Sequence, residues 1–148
     1  MARDLEAECS RYAGLLKDHP LDVACIGIGE NGHLAFNDPP FASFQDPLLV
    51  KVVELDLVSR QQQVRDGCFK SLREVPKKAI TLTIPAILLA KFIYCMVPAH
   101  SKSEAVKRAL QGQISTSCPA SILRNHENAI LFLDKDSAKL IGPVQQEK

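Results

Sequence analysis

The sequence lacks a charge excess of either sign. Its 148 residues carry 18 Lys and Arg against 17 Asp and Glu, a formal net charge of +1. Nucleic acids and anionic membrane surfaces are bound through clustered basic residues, so we expect neither as the main partner. An anionic ligand would have to be held by a few individually placed cations.

The five cysteines lack the spacing of a metal site or of a disulfide framework. None forms a C-x-x-C pair, their number is odd, and Cys25 and Cys95 lie in apolar runs, where cysteine behaves as a small hydrophobic residue. There is also no H-x-x-x-H pattern and no group of acids with ligand spacing. We therefore expect no metal, and a reducing compartment.

An uninterrupted apolar run of membrane-spanning length is also missing. The most apolar stretch, 79–98, is interrupted by Pro85 and Lys91 and is rich in β-branched and aromatic residues, which favours two buried strands joined by a short helical turn. The first ten residues contain no apolar signal-peptide core. These features predict a cytoplasmic protein without a membrane segment.

Segments typical of strands and helices alternate along the chain. The predicted strands are 21–28, 48–55, 78–84, 92–97 and 129–134, and the predicted helices are 4–18, 58–72 and 101–112. This alternation predicts one α/β domain over 1–148, with an open, mostly parallel, Rossmann-like sheet flanked by helices. Ligands of such sheets bind outside the carboxyl ends of the strands, so we expect the residues at 30–33, 56–60 and 100–102 to meet at one edge.

The stretch GIGENGHLAFNDPP places Gly27, Gly29 and Gly32 at the G-x-G-x-x-G spacing of a dinucleotide-binding turn. That function requires a helix that starts at the glycines, and two consecutive prolines follow too soon for one to fit. We therefore interpret the glycines as a tight turn that brings the backbone close to a ligand. No nucleotide or other cofactor is expected.

His33 follows this turn, with Asn31 before it and Asp38 after it. A histidine oriented by a carboxylate is the commonest general acid–base unit, because imidazole titrates near neutral pH. The alternative is a histidine that only satisfies backbone groups of its loop. The spacing alone leaves both interpretations open.

Two cations are candidates for an anion site. Lys102 lies at the start of a predicted helix, where Ser101 and Glu104 have capping-box spacing, and a helix N-terminus attracts anions. Arg60 lies one turn into the preceding predicted helix and would bind the same anion with its guanidinium. Each is also compatible with an ordinary solvated surface charge. Together with His33, they indicate acid–base chemistry on a small phosphorylated substrate.

The segment GIGENGHLAFNDP resembles the signature of the glucosamine-6-phosphate deaminase (isomerase) family. LDLVSRQQQ, VPKKAITLTI, SKSEAVKRALQG and CPASILRNHENAILFLD are similar to later segments of that family, so the resemblance covers about 21–140. It implies a modified Rossmann-like α/β fold. It also implies an enzyme that converts an amino-sugar 6-phosphate to fructose 6-phosphate and ammonia, without a cofactor, in carbohydrate metabolism.

The resemblance also implies roles for individual residues. His33 matches the ring-opening histidine, which moves a proton between the anomeric hydroxyl and the ring oxygen. Asp38 matches the acid that orients it, and Asn31 matches a position that is aspartate in many members. Arg60 and Lys102 match phosphate ligands.

Members of that family carry a sizeable N-terminal portion with no counterpart in this sequence. It supplies the first strands, a glycine-rich phosphate loop and the aspartate that takes the proton from C2. Glu30 is a conceivable local substitute, with no positional argument in its favour. We therefore expect a homo-oligomer or a completing chain as partner, and little or no deamination by the isolated chain.

Two other functions stay open. The related 6-phosphogluconolactonases share the fold and a G-x-G-x-D-G-H element, but a different stretch follows their histidine, so LAFNDP favours the amino-sugar branch. A non-catalytic sugar-phosphate-binding module would bind the ligand without releasing ammonia. The sequence leaves the sugar epimer, glucosamine or galactosamine 6-phosphate, undecided.

Overall fold

The computed structural model describes residues 4–142. Its helices are α1 (Leu5–Asp18), α2 (Leu57–Arg65), α3 (Ile84–Leu88) and α4 (Ser103–Gln111), and its strands are β1 (Val23–Ile26), β2 (Val50–Glu54), β3 (Lys78–Leu82), β4 (Phe92–Val97) and β5 (Ala129–Leu133). Two 3₁₀ helices, His100–Lys102 and Pro119–Asn125, precede α4 and β5. In this part of the chain, no helix combines the length and the apolar character needed to cross a membrane.

The central sheet has three parallel strands in the order β1-β4-β5. Val23 of β1 pairs with Phe92 of β4, and Ile93 of β4 pairs with Ala129 of β5. The sheet is open, with β1 and β5 at its edges, and helices connect the strands. The predicted fold class is therefore confirmed.

The strands β2 and β3 do not belong to this sheet. They form a separate antiparallel pair in which Val50 lies opposite Leu82. The prediction that the strand at 48–55 ends at the same sheet edge as the others is therefore wrong. Strand β2 instead satisfies its backbone hydrogen-bonding groups by antiparallel pairing with β3, without adding to either edge of the parallel sheet.

Strand β4 alternates strictly between a buried and a solvent-facing side. Ile93, Cys95 and Val97 are buried and pack in one core cluster with Ala105 and Val106 of α4. This period-two pattern explains why the predicted bounds of β4 match the observed ones.

The other side of the sheet is apolar and uncovered in the described chain. We call it the open sheet face, and its residues are Val23, Cys25, Phe92, Tyr94, Met96, Ile130 and Phe132. Their exposure is largest at Phe132, 51%, and Ile130, 49%. A contiguous exposed apolar face is typical of an interaction surface.

The start of α4 differs from the prediction. The predicted capping box of Ser101 and Glu104 is absent, because the 3₁₀ turn runs through Lys102 and α4 begins only at Ser103. Ala99, with φ of 83°, turns the chain into the 3₁₀ segment and so delays the helix. At the other end, α4 is capped by Gly112, whose N–H bonds to the carbonyl of Arg108.

Candidate functional site

A cleft of about 580 Å³ opens at the carboxyl ends of β1 and β4. The loop after β1 contributes Gly27, Gly29 and His33, and the segment after β4 contributes Pro98 and Lys102. The structure thus brings together the predicted glycines, the histidine and one predicted cation. The parallel pairing of β1 with β4 is the cause, since their carboxyl ends are neighbours.

The glycine turn shapes the space for the His33 ring. The turn is closed by the Gly29 N–H, which donates to the His33 carbonyl over 3.0 Å, and by the Gly32 N–H, which donates to the Gly29 carbonyl over 2.9 Å. A Cβ at Gly29 would lie only 2.2–2.4 Å from atoms of that ring. Gly32 has φ of +89°, a conformation that side chains rarely adopt. Gly29 therefore leaves the space that the His33 ring occupies, and Gly32 permits the turn.

Asn31 determines which nitrogen of His33 carries a proton. Its Nδ2 donates to Asp38 Oδ1 over 2.9 Å and to Asp56 Oδ2 over 3.3 Å. These two carboxylates fix the orientation of the amide, so that Asn31 Oδ1 is an acceptor, 2.8 Å from His33 Nδ1. The Nδ1 atom must therefore carry hydrogen, which leaves the lone pair of Nε2 for a ligand in the cleft.

Asp38 is fully buried, with 0% of the residue exposed, and its Oδ1 lies 2.9 Å from His33 Nδ1. Burial by itself raises the pKa of this carboxyl, but hydrogen bonds from His33, Asn31 and Ser59 outweigh it and, with the charge of His33, lower the pKa to about 2. Asp38 is therefore ionised at neutral pH, as an acid that orients a histidine must be.

Ser59 and Asp56 also belong to this network, so the segment 56–60 does meet the loop after β1, through these two residues. Ser59 Oγ donates to Asp38 Oδ1 over 2.5 Å, and Asp56 Oδ1 accepts from the Ser59 N–H over 2.7 Å as the N-cap of α2. An aspartate before a predicted helix is a recognisable cap signal. The contact of Ser59 with a loop more than 20 residues away has no local signal.

Lys102 reaches the cleft from the start of α4 and is half-buried. Burial lowers its pKa, and Arg65 adds to this effect, while Glu30 and Asp66 oppose it. Within residues 4–142, Lys102 forms no ion pair with a carboxylate. A partly desolvated ammonium outside any ion pair is well suited to bind an anionic ligand.

Arg65, at the last turn of α2, is a second cation near Lys102 that the sequence interpretation missed. It forms an ion pair with Glu30 in the glycine turn. The carboxylate of Glu30 is thus engaged, and the two residues place charges of both signs beside the cleft.

The structure does not bring Arg60 to this cleft. Its Nη2 donates to the carbonyls of Leu72, at 2.7 Å, and Val75, at 3.2 Å, and its side chain lines a separate pocket with Arg73 and Lys77. The predicted convergence of Arg60 and Lys102 on one anion is therefore absent from this arrangement. The assignment of Arg60 as a phosphate ligand stays a prediction.

Residues 4–142 thus combine an open parallel sheet with a carboxylate-bound histidine and, in the same cleft, a lysine outside any ion pair, which defines an α/β protein with a candidate acid–base site. Residues 1–132 match the family described as glucosamine-6-phosphate isomerases/6-phosphogluconolactonase. The chain belongs to this family, which confirms the resemblance noted in the sequence.

Several relatives are similar over nearly the whole chain. The sequence is 42% identical over 140 residues to a glucosamine-6-phosphate deaminase of Bacillus thuringiensis strain Al Hakam, and 41% identical to one of Bacillus cereus strain G9842; each match covers 95% of this chain and 52% of the relative. The chain therefore spans about half the length of these curated relatives.

Solved structures of the family share the fold. A monomeric glucosamine-6-phosphate deaminase superposes with a TM-score of 0.88 at 41% identity, covering 95% of this chain and 56% of that one. The 6-phosphogluconolactonase of Trypanosoma brucei superposes with a TM-score of 0.69 at 21% identity, covering 96% of this chain and 56% of the other. At that identity the second likeness shows the fold alone.

Proposed function

We propose that this chain provides the ring-opening histidine and part of the phosphate site of a glucosamine-6-phosphate deaminase. The observation that carries the proposal is the pair of His33 and ionised Asp38, which faces a cleft that also contains the unpaired Lys102. The identity of 42% to proteins named as deaminases supports the amino-sugar branch over the lactonases, which match at about half that identity.

In this proposal His33 opens the sugar ring. Its Nε2 accepts the proton of the anomeric hydroxyl and returns it to the ring oxygen, so that the bond between C1 and the ring oxygen breaks and C1 becomes an aldehyde carbon. The imidazolium formed between the two transfers is stabilised by the Asp38 carboxylate, 2.9 Å from Nδ1. Asn31 fixes the ring orientation but contributes no charge.

Lys102, with Arg65 beside it, is proposed to hold the 6-phosphate. A phosphate would supply the ion-pair partner that Lys102 lacks, and it would lie beside Arg65 while Arg65 stays paired with Glu30. Because Glu30 is engaged by Arg65, it is a poor candidate for the base that removes the C2 proton. We expect that base to come from the part of the family fold that this chain does not contain.

The charge of Lys102 should decide whether a sugar phosphate binds. We expect Lys102→Met to reduce the affinity for glucosamine 6-phosphate at least about tenfold, because a hydrogen bond to a charged group contributes about 1.5–3 kcal/mol. Lys107→Met is the matched control, since Lys107 is exposed on the same helix. The measurement is titration calorimetry, with unphosphorylated glucosamine as the reference ligand.

Equal losses in the two variants would contradict this assignment. An ammonia assay on the same samples separates a deaminase from a binding module, and hydrolysis of 6-phosphogluconolactone would identify the lactonase activity instead. Galactosamine 6-phosphate in the same assay tests the sugar epimer.

The proposed partner is the remainder of the family fold, seated on the open sheet face. Its relatives are nearly twice as long as this chain. The open sheet face is apolar, and β1 has no second neighbouring strand within residues 4–142. An uncovered apolar face beside an unpaired parallel strand fits further strands and helices of the same fold.

A charge on the open sheet face should abolish this association. We expect the chain to form a one-to-one complex with the part of the Bacillus thuringiensis deaminase that it does not align with, and Phe132→Lys to prevent it, because a lysine there would be buried without a partner. Leu89→Lys is the control, since Leu89 is 66% exposed outside this face. Light scattering coupled to gel filtration measures the complex; self-association through the same face, without that complex, would contradict the proposed partner.

A further inference from the structure

We propose that Ser59 is a positioning residue of the His33 site: from the first turn of α2, its hydroxyl holds the Asp38 carboxylate and the His33 imidazole in one fixed arrangement. The consequence for catalysis rests on the proposed function. The positioning itself is a property of the folded chain and is testable without turnover.

The hydrogen count gives the hydroxyl a defined direction. Ser59 Oγ lies 2.5 Å from Asp38 Oδ1 and 3.2 Å from His33 Nδ1. The ionised carboxylate only accepts hydrogen bonds, so the single hydroxyl proton of Ser59 points to Asp38. The oxygen lone pairs are then left facing His33 Nδ1, which already carries hydrogen for Asn31. Ser59 thus donates to the acid, and its lone pairs lie 3.2 Å from Nδ1, whose single hydrogen is engaged by Asn31 Oδ1.

Ser59 connects the Asp38 carboxylate, in the loop after β1, directly to helix α2. Asn31 Nδ2 and Ser59 Oγ donate to Asp38 Oδ1, and His33 Nδ1 lies 2.9 Å from the same oxygen; Asn31 and His33 belong to the same loop as Asp38. Asp38 Oδ2 is buried and has no hydrogen-bond partner. Without Ser59, the carboxylate would receive hydrogen bonds only from its own loop, on one oxygen, and α2 would act on it only indirectly, through the bond from Asn31 to Asp56.

The helix is built to keep this hydroxyl in place. Asp56, the N-cap of α2, accepts one hydrogen bond from the Ser59 N–H through Oδ1 and another from Asn31 Nδ2 through Oδ2. It therefore connects both the serine and the loop to the start of the helix. Ser59 itself is only 3% exposed. A buried polar network of this kind, with its donors assigned, specifies one arrangement.

Removing the hydroxyl of a purely structural serine and removing that of a positioning serine have different effects on stability and on the titration of neighbouring groups. Loss of a merely structural hydroxyl lowers stability and leaves the titration of its neighbours as it was. Loss of a positioning hydroxyl raises the pKa of Asp38, because one of the donors that stabilise its anion is gone.

The test compares Ser59→Ala with Ser59→Thr, which keeps the hydroxyl, and with Ser137→Ala. Ser137 is fully buried and hydrogen-bonds Asp134 in the turn after β5, far along the chain from the site. The carboxyl carbon of Asp38 is titrated by ¹³C NMR. We expect its midpoint to rise by about one pH unit or more in Ser59→Ala and to stay near the wild-type value in the other two variants.

A second measurement needs no variant. Long-range ¹H–¹⁵N correlation on the wild-type chain, at a pH where the ring is neutral, should show His33 with hydrogen on Nδ1. Hydrogen on Nε2, or an unchanged Asp38 midpoint in folded Ser59→Ala, would overturn the proposal. Neither result depends on ammonia release, so a failed deaminase assay and a failed positioning role are distinguishable.

Discussion

Replacing Gly29 by alanine is expected to expel the His33 ring from its site and to lower the free energy of unfolding by about 1–3 kcal/mol. The added Cβ would lie 2.2–2.4 Å from Cε1, Nδ1 and Nε2 of that ring, so either the ring or the backbone of the turn must move. A displaced ring would give up its contacts with Asn31, Asp38 and Ser59 together. Urea unfolding measures the free energy, and Asp38 should titrate at higher pH without its His33 donor.

Gly14→Ala is the matched control for this experiment. Gly14 lies inside α1, and a Cβ there meets no atom within 4 Å. The same chemical change should therefore raise the free energy of unfolding by about 0.5–1 kcal/mol, because alanine is the better helix former. If the two variants changed stability equally, the close packing of His33 against Gly29 would be wrong.

The glycine turn shows how far the sequence can be interpreted. The spacing of the glycines suggested a nucleotide site, and the consecutive prolines argued against the helix that such a site needs. The structure agrees, because only turns and an isolated bridge between Leu34 and Asn37 follow Gly32. Local steric rules were sufficient here, since turn, proline and histidine lie within one short segment.

Such local rules do not predict which strands pair when they are distant in the sequence. The apolar patterns of β2 and β4 are both typical of buried strands, and nothing local tells which neighbour each strand will pair with. The partners of β4 leave β2 only the two edges of the sheet, and no local pattern shows that β2 pairs with β3 instead.

The face of α2 that meets the loop was likewise not predictable. Ser59 and Gln62 are three residues apart and point to the cleft side, where Gln62 lines the cleft. Arg60 and Arg65 are five residues apart, which at about 100° per residue places them on different sides of the helix. Sequence reasoning selected Arg60, whereas the orientation of α2 puts Arg65 beside Lys102.

Asp38→Asn should remove a specific part of the acid sensitivity of the fold. In the folded chain the pKa of Asp38 is lowered from 3.8 to about 2, so the folded state favours the ionised form. The resulting stabilisation is fully present above the ordinary pKa and is lost as the pH falls through about 2. Since one pH unit of pKa corresponds to about 1.36 kcal/mol, it amounts to about 2 kcal/mol.

We therefore expect Asp38→Asn to be about 2 kcal/mol less stable than the wild-type chain at neutral pH, with the difference closing between about pH 5 and about pH 2. Urea unfolding at a series of pH values measures this difference in the free energy of unfolding. The contributions of the other carboxyl groups are the same in both proteins and cancel when the two curves are subtracted. Asp22→Asn is the control: Asp22 pairs with Lys91 on the surface, where an ion pair contributes little, so this variant should follow the wild-type curve. A constant gap between Asp38→Asn and the wild type across this pH range would mean that Asp38 acts by shape alone, and the charge that is proposed to stabilise the His33 imidazolium would have no support.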